Sequence, residues 1–537
     1  MSTQKSGEDD ANAKSGTTYV LAIDLGGSGH KVALVADSGE VVASADTSID
    51  THIYPDGGAE QDAHAWWDKA LSAAKQVIRE AGVLPEDIVA VGCDTQWSLV
   101  VPVDENCTPL MNAIHWSDTR GGRYNRQITD GFPKIQGYGL SKLMRWIRLT
   151  GLVPTQAGAD SLGHVLFIKN ERPDIYAKTY KFLEPMDYLT ARLTGRITAT
   201  QKTMAPFIVV DNREWGSMEY SDTLLEMAGL DRDKFPEIIP NNGIAGTLQP
   251  SVAAELGLAP DTPVISGIGD SNVSLIGSGA VRDFEPIIYI GTTLYMTCHL
   301  PFKKTDLAHF MTSIPSPFPS RYYLLGEQGA GGKCIEFFLK NLVYPEDAFD
   351  TGIKPEDAYE RFNAMASEAP AGSNGTIFMP WLNGSIVPEE VPQMRAGFIN
   401  LSHNTTRCHM ARAVFEGLAF NNRWTCGALE KFIGQPVKSF RFSGGGARSD
   451  LWSQIHADVL GVSIEQVDDP VNATVRGTAM LAFHTLGKMS LDDLSSRVKI
   501  KHTFEPDLSN KKMYDHMYAQ YRQLFKRNRR IFKALNS

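Results

Sequence analysis

One device occurs twice in this chain and restricts its fold more than any other feature: an apolar strand, a bend of small residues, then a second apolar strand. The first copy runs from Tyr19-Val20-Leu21-Ala22-Ile23 through Asp24-Leu25-Gly26-Gly27-Ser28-Gly29-His30-Lys31 into Val32-Ala33-Leu34-Val35. The second runs from Glu285-Pro286-Ile287-Ile288-Tyr289-Ile290 through Gly291-Thr292-Thr293 into Leu294-Tyr295-Met296-Thr297. Apolar runs joined by such bends predict β-hairpins with backbone-lined tips. Without a Cβ in the way, several N–H groups can approach one anion, so phosphate is the natural ligand. Either bend alone is also compatible with a plain turn. Two in one chain predict a polyphosphate gripped from both sides of a cleft.

Around these hairpins the pattern alternates. Strands at Ile88-Val89-Ala90-Val91-Gly92-Cys93, Thr262 to Ser266 and Ser439 to Ser443 are interleaved with helical periodicity at Ala65 to Glu80, Ile175 to Thr194, about Thr405 to Phe432, and Leu451 to Leu460. Strands and helices in alternation predict α/β layers. A chain of 537 residues exceeds what one core usually supports. The expected division is a disordered tail at 1–16, an N-terminal domain at 17–283, a C-terminal domain at 284–490 and a helical extension at 491–537.

Composition narrows the function classes. A net charge of −10 argues against a general nucleic-acid binder, which needs a concentrated basic surface. The basic run Lys526-Arg527-Asn528-Arg529-Arg530 reads as a solvated helix face, with an anionic partner surface as the alternative. Six scattered cysteines without C-x-x-C spacing suggest neither a zinc site nor a disulfide framework. No apolar run approaches the roughly 20 residues a membrane-spanning helix needs, and the polar N-terminus lacks a signal-peptide core. A cytoplasmic enzyme acting on small molecules is the expectation, with no nucleic-acid or membrane partner.

Several residues could carry the chemistry. The tip Gly26, Gly27, Ser28 and Gly29 would cradle phosphate, Lys31 could add a charge, and Asp24 at the strand end could help hold hydrated Mg²⁺. Gly291, Thr292 and Thr293 would face them. The run Gly444-Gly445-Gly446-Ala447, between a strand and a helix, offers a flat surface for an adenine or ribose, or else is a tight turn. Asp270, in Ser266-Gly267-Ile268-Gly269-Asp270-Ser271-Asn272, is the candidate base for an accepting hydroxyl; its alternative is a helix N-cap. Phosphoryl transfer asks for little beyond positioning, charge neutralisation and such a base.

Together these residues resemble the FGGY family of carbohydrate kinases. The likeness runs from about Tyr19 to Met489, and its most specific piece is Ala396-Gly397-Phe398-Ile399-Asn400-Leu401, seven residues, then His409-Met410-Ala411-Arg412-Ala413-Val414-Phe415-Glu416-Gly417. Asn400 stands where that signature usually has glycine. Glu60-Gln61-Asp62 and Trp116-Ser117-Asp118-Thr119-Arg120 fall in the family's order. The resemblance implies an α/β, actin-like (ribonuclease H-like) fold of two domains, with ATP and Mg²⁺ in the interdomain cleft. It implies Asp270 as catalytic base, Gly291 and Thr292 in the second phosphate loop, and Gly445, Gly446, Ala447 and Asp450 on the adenosine side. The implied partner is a small sugar or polyol, a pentulose such as xylulose foremost, with homodimerisation left open.

Departures bear on substrate. Gly27 and Gly29 replace hydroxyl residues usual in the first loop, leaving Ser28 as its side-chain donor and implying a weaker phosphate grip. Thr95-Gln96-Trp97-Ser98 stands where xylulokinases carry Gln-Met-His and glycerol kinases Gln-Arg-Glu, which speaks against glycerol. Trp97 could stack on a sugar face or belong to the core, while Gln96, Ser98 and Asp118 would bond hydroxyls. Ser271 replaces the amide residue common after the base. Kinases for another ketose or polyol stay open. The reading from a different class is a catalytically inactive nucleotide-binding sensor or scaffold. Retention of Asp24, Asp270 and both loops argues against it.

Overall fold

The computed structural model describes residues 16–536, so the call on the tail lies, but for Gly16, outside the described residues. Two mixed sheets form the frame. In the first, Tyr19–Leu25 pairs antiparallel with Gly29–Ala36 and parallel with Ile88–Thr95, and the order continues to Pro263–Ile265 and Ile244–Thr247 on one side and Val41–Ser48 on the other. The second repeats the motif: Ile287–Ile290 pairs antiparallel with Thr293–Leu300 and parallel with Ser439–Ser443, inside an eight-stranded sheet. Both expected hairpins therefore form, each beside a parallel neighbour that carries further residues to the same sheet end.

The alternation of side chains along Tyr19–Leu25 explains the layers. Leu21 and Ile23 face one core with Trp66, Ala70 and Val77 of the helix Ala63–Ala81. Val20 and Ala22 face another, packed by Val475, Ala479 and Phe483 of the helix Ala473–Thr485. That helix comes from the C-terminal half, yet it covers the N-terminal sheet. It crosses the helix Asp270–Gly277 at near contact: a Cβ on Gly277 would lie 1.8 Å from the Ala473 oxygen, and one on Gly477 1.9 Å from the Val273 oxygen. The two halves are joined by a backbone-to-backbone crossing that only glycine allows.

Two expectations need correction. The single helix at Ile175 to Thr194 is two, Pro173–Lys178 and Pro185–Thr194, with the strand Lys181–Leu183 between them. Pro185 cannot continue a helix through its own nitrogen but starts one well, so it resets the chain. Of the expected extension, the described part, 491–536, is built into the domain: Ile500–Phe504 is an edge strand of the eight-stranded sheet, and Lys511–Leu535 buries Tyr514, Met517, Tyr521 and Phe525 in the C-terminal core. The basic run does lie on that helix's exposed side. Among the described residues no helix is long and apolar enough to cross a membrane.

Candidate active site

The first hairpin's tip is braced from behind. Gly26 N–H donates to the Gly29 carbonyl at 2.8 Å, Ile49 N–H donates to the Ser28 carbonyl at 2.9 Å, and the Gln61 amide donates to the Gly27 carbonyl at 3.1 Å. With those oxygens occupied, Gly27 and Ser28 stay exposed at the tip. The second tip is built likewise, Gly331 N–H donating to the Thr292 carbonyl at 3.1 Å and Gly332 N–H to the Gly291 carbonyl at 2.8 Å. In each case the carbonyls turn toward the protein.

Three carboxyl groups stand close to both hairpins, near enough for their charges to act on Tyr289 of the second. Asp24 and Asp94 are register partners on adjacent parallel strands, and Asp270 opens the helix that follows Ile268–Gly269, paired to the same strand as Asp94. Asp270 is thus not the cap itself; Gly269 is. Burial raises all three. Asp270 is pushed up to about 7, first by desolvation and then by the charge of Asp24, against the Ser271 N–H that donates to it at 2.6 Å. Asp94, raised by burial and by Asp24, went unrecognised in the sequence. The one available signal was a charged residue closing an otherwise apolar strand.

Beside Asp270, Trp97 stacks on Tyr323 of the second domain, centroids 6.2 Å apart, so one indole face is already covered. Its N–H and the Gln96 side-chain oxygen are buried without a partner, and the Ser271 hydroxyl and Asn272 amide, which lie against the Tyr323 hydroxyl, are buried without a well-formed bond. Buried polar atoms are normally satisfied, so this cluster marks where a polar ligand belongs. Gln96 also donates to the Gln61 oxygen at 2.9 Å, linking this cluster to the first hairpin. Glu184, another residue the sequence reading missed, accepts the Leu99 N–H at 3.2 Å and holds the turn in which Ser98 takes a left-handed φ of 63°.

Four candidates are held differently from expectation. Asp118 is fully buried, its Oδ2 taken by the Ala59 N–H and the Arg120 guanidinium and its Oδ1 by the Arg120 backbone N–H, so its carboxylate is engaged within the protein. Lys31 donates to Asn472 at 2.9 Å, beside the hairpin and away from its tip. Ala447 is a core residue whose carbonyl accepts from Gln466, and of its glycine neighbours Gly445 alone faces open space while Gly446 packs on Ile290 and Trp452. Asp450 is exposed and bonded to Gln466 and Lys501.

Family comparison decides the assignment. The model for the N-terminal domain of the FGGY carbohydrate kinases matches residues 19–277, and that for the C-terminal domain matches 288–486. The chain belongs to the FGGY family of carbohydrate kinases. It is 27% identical over 528 residues to a xylulose kinase of Staphylococcus epidermidis, covering 95% of this chain and 97% of that one. In fold it is similar to the gluconate kinase of Lactobacillus acidophilus, TM-score 0.82 at 21% identity over 97% of this chain and all of that one. It is also similar to the ligand-bound xylulose kinase of the same organism, TM-score 0.81 at 21% identity over 95% and 98% of the two chains. The fold is the actin-like two-domain one. As an FGGY kinase the chain is an ATP-dependent phosphotransferase that takes an alcohol group of a small sugar as acceptor.

Proposed function

We propose that this kinase phosphorylates a pentulose, xylulose foremost, with Asp270 as the base that accepts the proton of the attacking hydroxyl. The observation that carries the reading is the position of Asp270: close enough to Asp24 of the first hairpin and Tyr289 of the second for charge to act between them, beside a patch of unpartnered polar atoms, with a carboxyl raised to about 7. A base with a pKa near the working pH combines a large ionised fraction with useful basicity. Gly27, Ser28 and the Gly26 and Gly29 backbone would hold phosphate from one side, and Gly291, Thr292 and Thr293 from the other. Gly445, Gly446 and the exposed Asp450 would border the adenosine, with Ala447 supporting them from within.

The unpartnered oxygens of Asp24 and Asp94 fit a divalent cation. Mg²⁺ favours one or two carboxylates together with waters and phosphate oxygens, and would neutralise charge developing on the transferred group.

For the sugar, Trp97, Ser98, Ser271 and Gln96 remain the contacts we favour, with Asn272 added; Asp118 instead holds Arg120 in place. The unpartnered groups around Trp97 and Asn272 are neutral donors and acceptors, which suit hydroxyls better than a carboxylate. That favours a ketose over gluconate, although a gluconokinase of Bacillus subtilis also aligns over 93% of the chain at 24% identity. The test is ADP release from MgATP with a panel of ketoses, polyols and gluconate, Asp270→Asn alongside. One strongly preferred ketose, with turnover lowered at least about a thousandfold in the variant while ATP still binds, is expected. Preference for gluconate, or turnover that survives the substitution, would overturn the reading.

A further inference from the structure

We propose that Asp94 is the second carboxylate of a preformed cation seat, acting with Asp24 before any nucleotide arrives; this rests on the reading of the cleft as the MgATP site. The two aspartates face the same sheet end as Cα partners on neighbouring parallel strands, which lie about 4.8 Å apart. One oxygen of each is fixed from the same element: Thr474 Oγ1 donates to Asp24 Oδ2 at 2.6 Å, and Thr478 Oγ1, one helical turn on, donates to Asp94 Oδ2. Two threonines at i and i+4 lie on one helix face, so a single helix orients both carboxyl groups together.

The other oxygens are what point to a ligand. Asp24 Oδ1 and Asp94 Oδ1 are both buried with no donor from any other residue, the two carboxyl groups lie within hydrogen-bonding reach of each other, and Asp94 is 0% exposed. Two carboxyl groups buried side by side cannot both stay charged on their own: either they share a proton, the state that burial and the Asp24 charge favour at Asp94, or a cation completes them. Among the described residues no ion pair includes either side chain; Lys31, the cation nearest in register to Asp24, bonds Asn472 and pairs with Asp46, and its charge reaches Asp24 without forming an ion pair with it. The threonines supply neutral donors only. A small divalent cation bridging the two free oxygens completes both at once, with water and later phosphate filling its remaining positions. Because the Thr474 and Thr478 bonds already fix the carboxyl groups, the seat needs no nucleotide to assemble it.

The experiment is titration of the full chain with Mn²⁺ alone, without nucleotide or sugar, followed by the loss of the free-ion EPR signal. The wild type should take up one Mn²⁺ per chain, released by excess Mg²⁺. Asp94→Asn and Asp94→Ser should each weaken that binding at least tenfold while circular dichroism shows the fold retained. Two substitutions of different size keep the test alive if one fails to fold. No Mn²⁺ bound by the wild type, or equal affinity in both variants, overturns the proposal, the second result leaving Asp24 as the sole protein ligand. A wild type that binds Mn²⁺ this way but releases no ADP with any sugar breaks the kinase reading and leaves the cation seat standing.

Discussion

The two hairpins share a backbone design and differ in what flanks them. Beside the first lie Asp24 and Asp94, acids whose free oxygens invite a cation. Beside the second lie Tyr289 and Tyr295, stacked at 4.8 Å with their planes 9° apart, and the hydroxyls of Thr292 and Thr293. The same bend thus serves opposite electrostatic tasks. On the proposed reading both tips offer N–H groups to phosphate, but the acidic wall beside the first would repel bare polyphosphate and so call for a cation there, which the neutral wall of the second does not need. The halves also differ in tolerance. A Cβ at Gly29 would lie 2.0 Å from the Thr47 carbonyl oxygen, which is backbone, whereas one at Gly291 would meet the Tyr289 ring at 2.8 Å, which is side chain.

That difference gives the largest effect expected outside the catalytic base. Gly29→Ala must push apart the strands Gly29–Ala36 and Val41–Ser48, with a destabilisation of about 3 kcal/mol and loss of most activity. Gly291→Ala asks only that a ring shift, for about 1 kcal/mol. Urea unfolding of the two variants against wild type measures both. Equal losses would mean that the second hairpin is as rigidly braced as the first, and the contrast between them would fall.

Next in size is the pH response of the acidic side. Asp270 is held up to about 7 by burial and by Asp24, and as a base it works ionised. Raising pH ionises it, so kcat/KM for the sugar should climb about tenfold per pH unit below 7 and level off above. The sign would reverse if the protonated form were the active one. A profile flat from about pH 5.5 to 7.5 would show that this carboxyl does not limit the reaction, and that the acidic wall acts only on the metal.

How much of this was legible in the sequence depended on range. The hairpins were, because turn chemistry is local: the Gly26 to Gly29 and Gly291 to Thr293 bends lie where their residues require. The strand Ser439–Ser443 and the helix at Arg407–Ile433 followed from periodicity for the same reason. Asp94 was not legible as a site residue, since its role depends on pairing with Asp24 and on Thr478, a residue nearly 400 positions away. Asp118 shows the converse: a polar residue in a sugar-facing segment reads as a ligand from sequence, while in the fold Arg120, two residues on, pairs with it. The spacing Asp-x-Arg was the clue. The Gly277 and Gly477 crossing was invisible too, because a helical glycine declares its purpose only when the facing backbone is known.

The smallest effects test how the two tips divide the phosphate. Ser28 is the first tip's only hydroxyl, while the second has two, and both tips keep their N–H groups whatever the side chain. Ser28→Ala removes one bond to a charged oxygen, which should raise KM for ATP about tenfold with kcat little changed. Thr292→Val should raise it only about threefold, because Thr293 and the backbone remain. If the order is reversed, the neutral wall depends on its side chains and the acidic one does not. The cation at Asp24 and Asp94 would then carry the first tip's share of the phosphate, and Ser28 would serve only to close the turn.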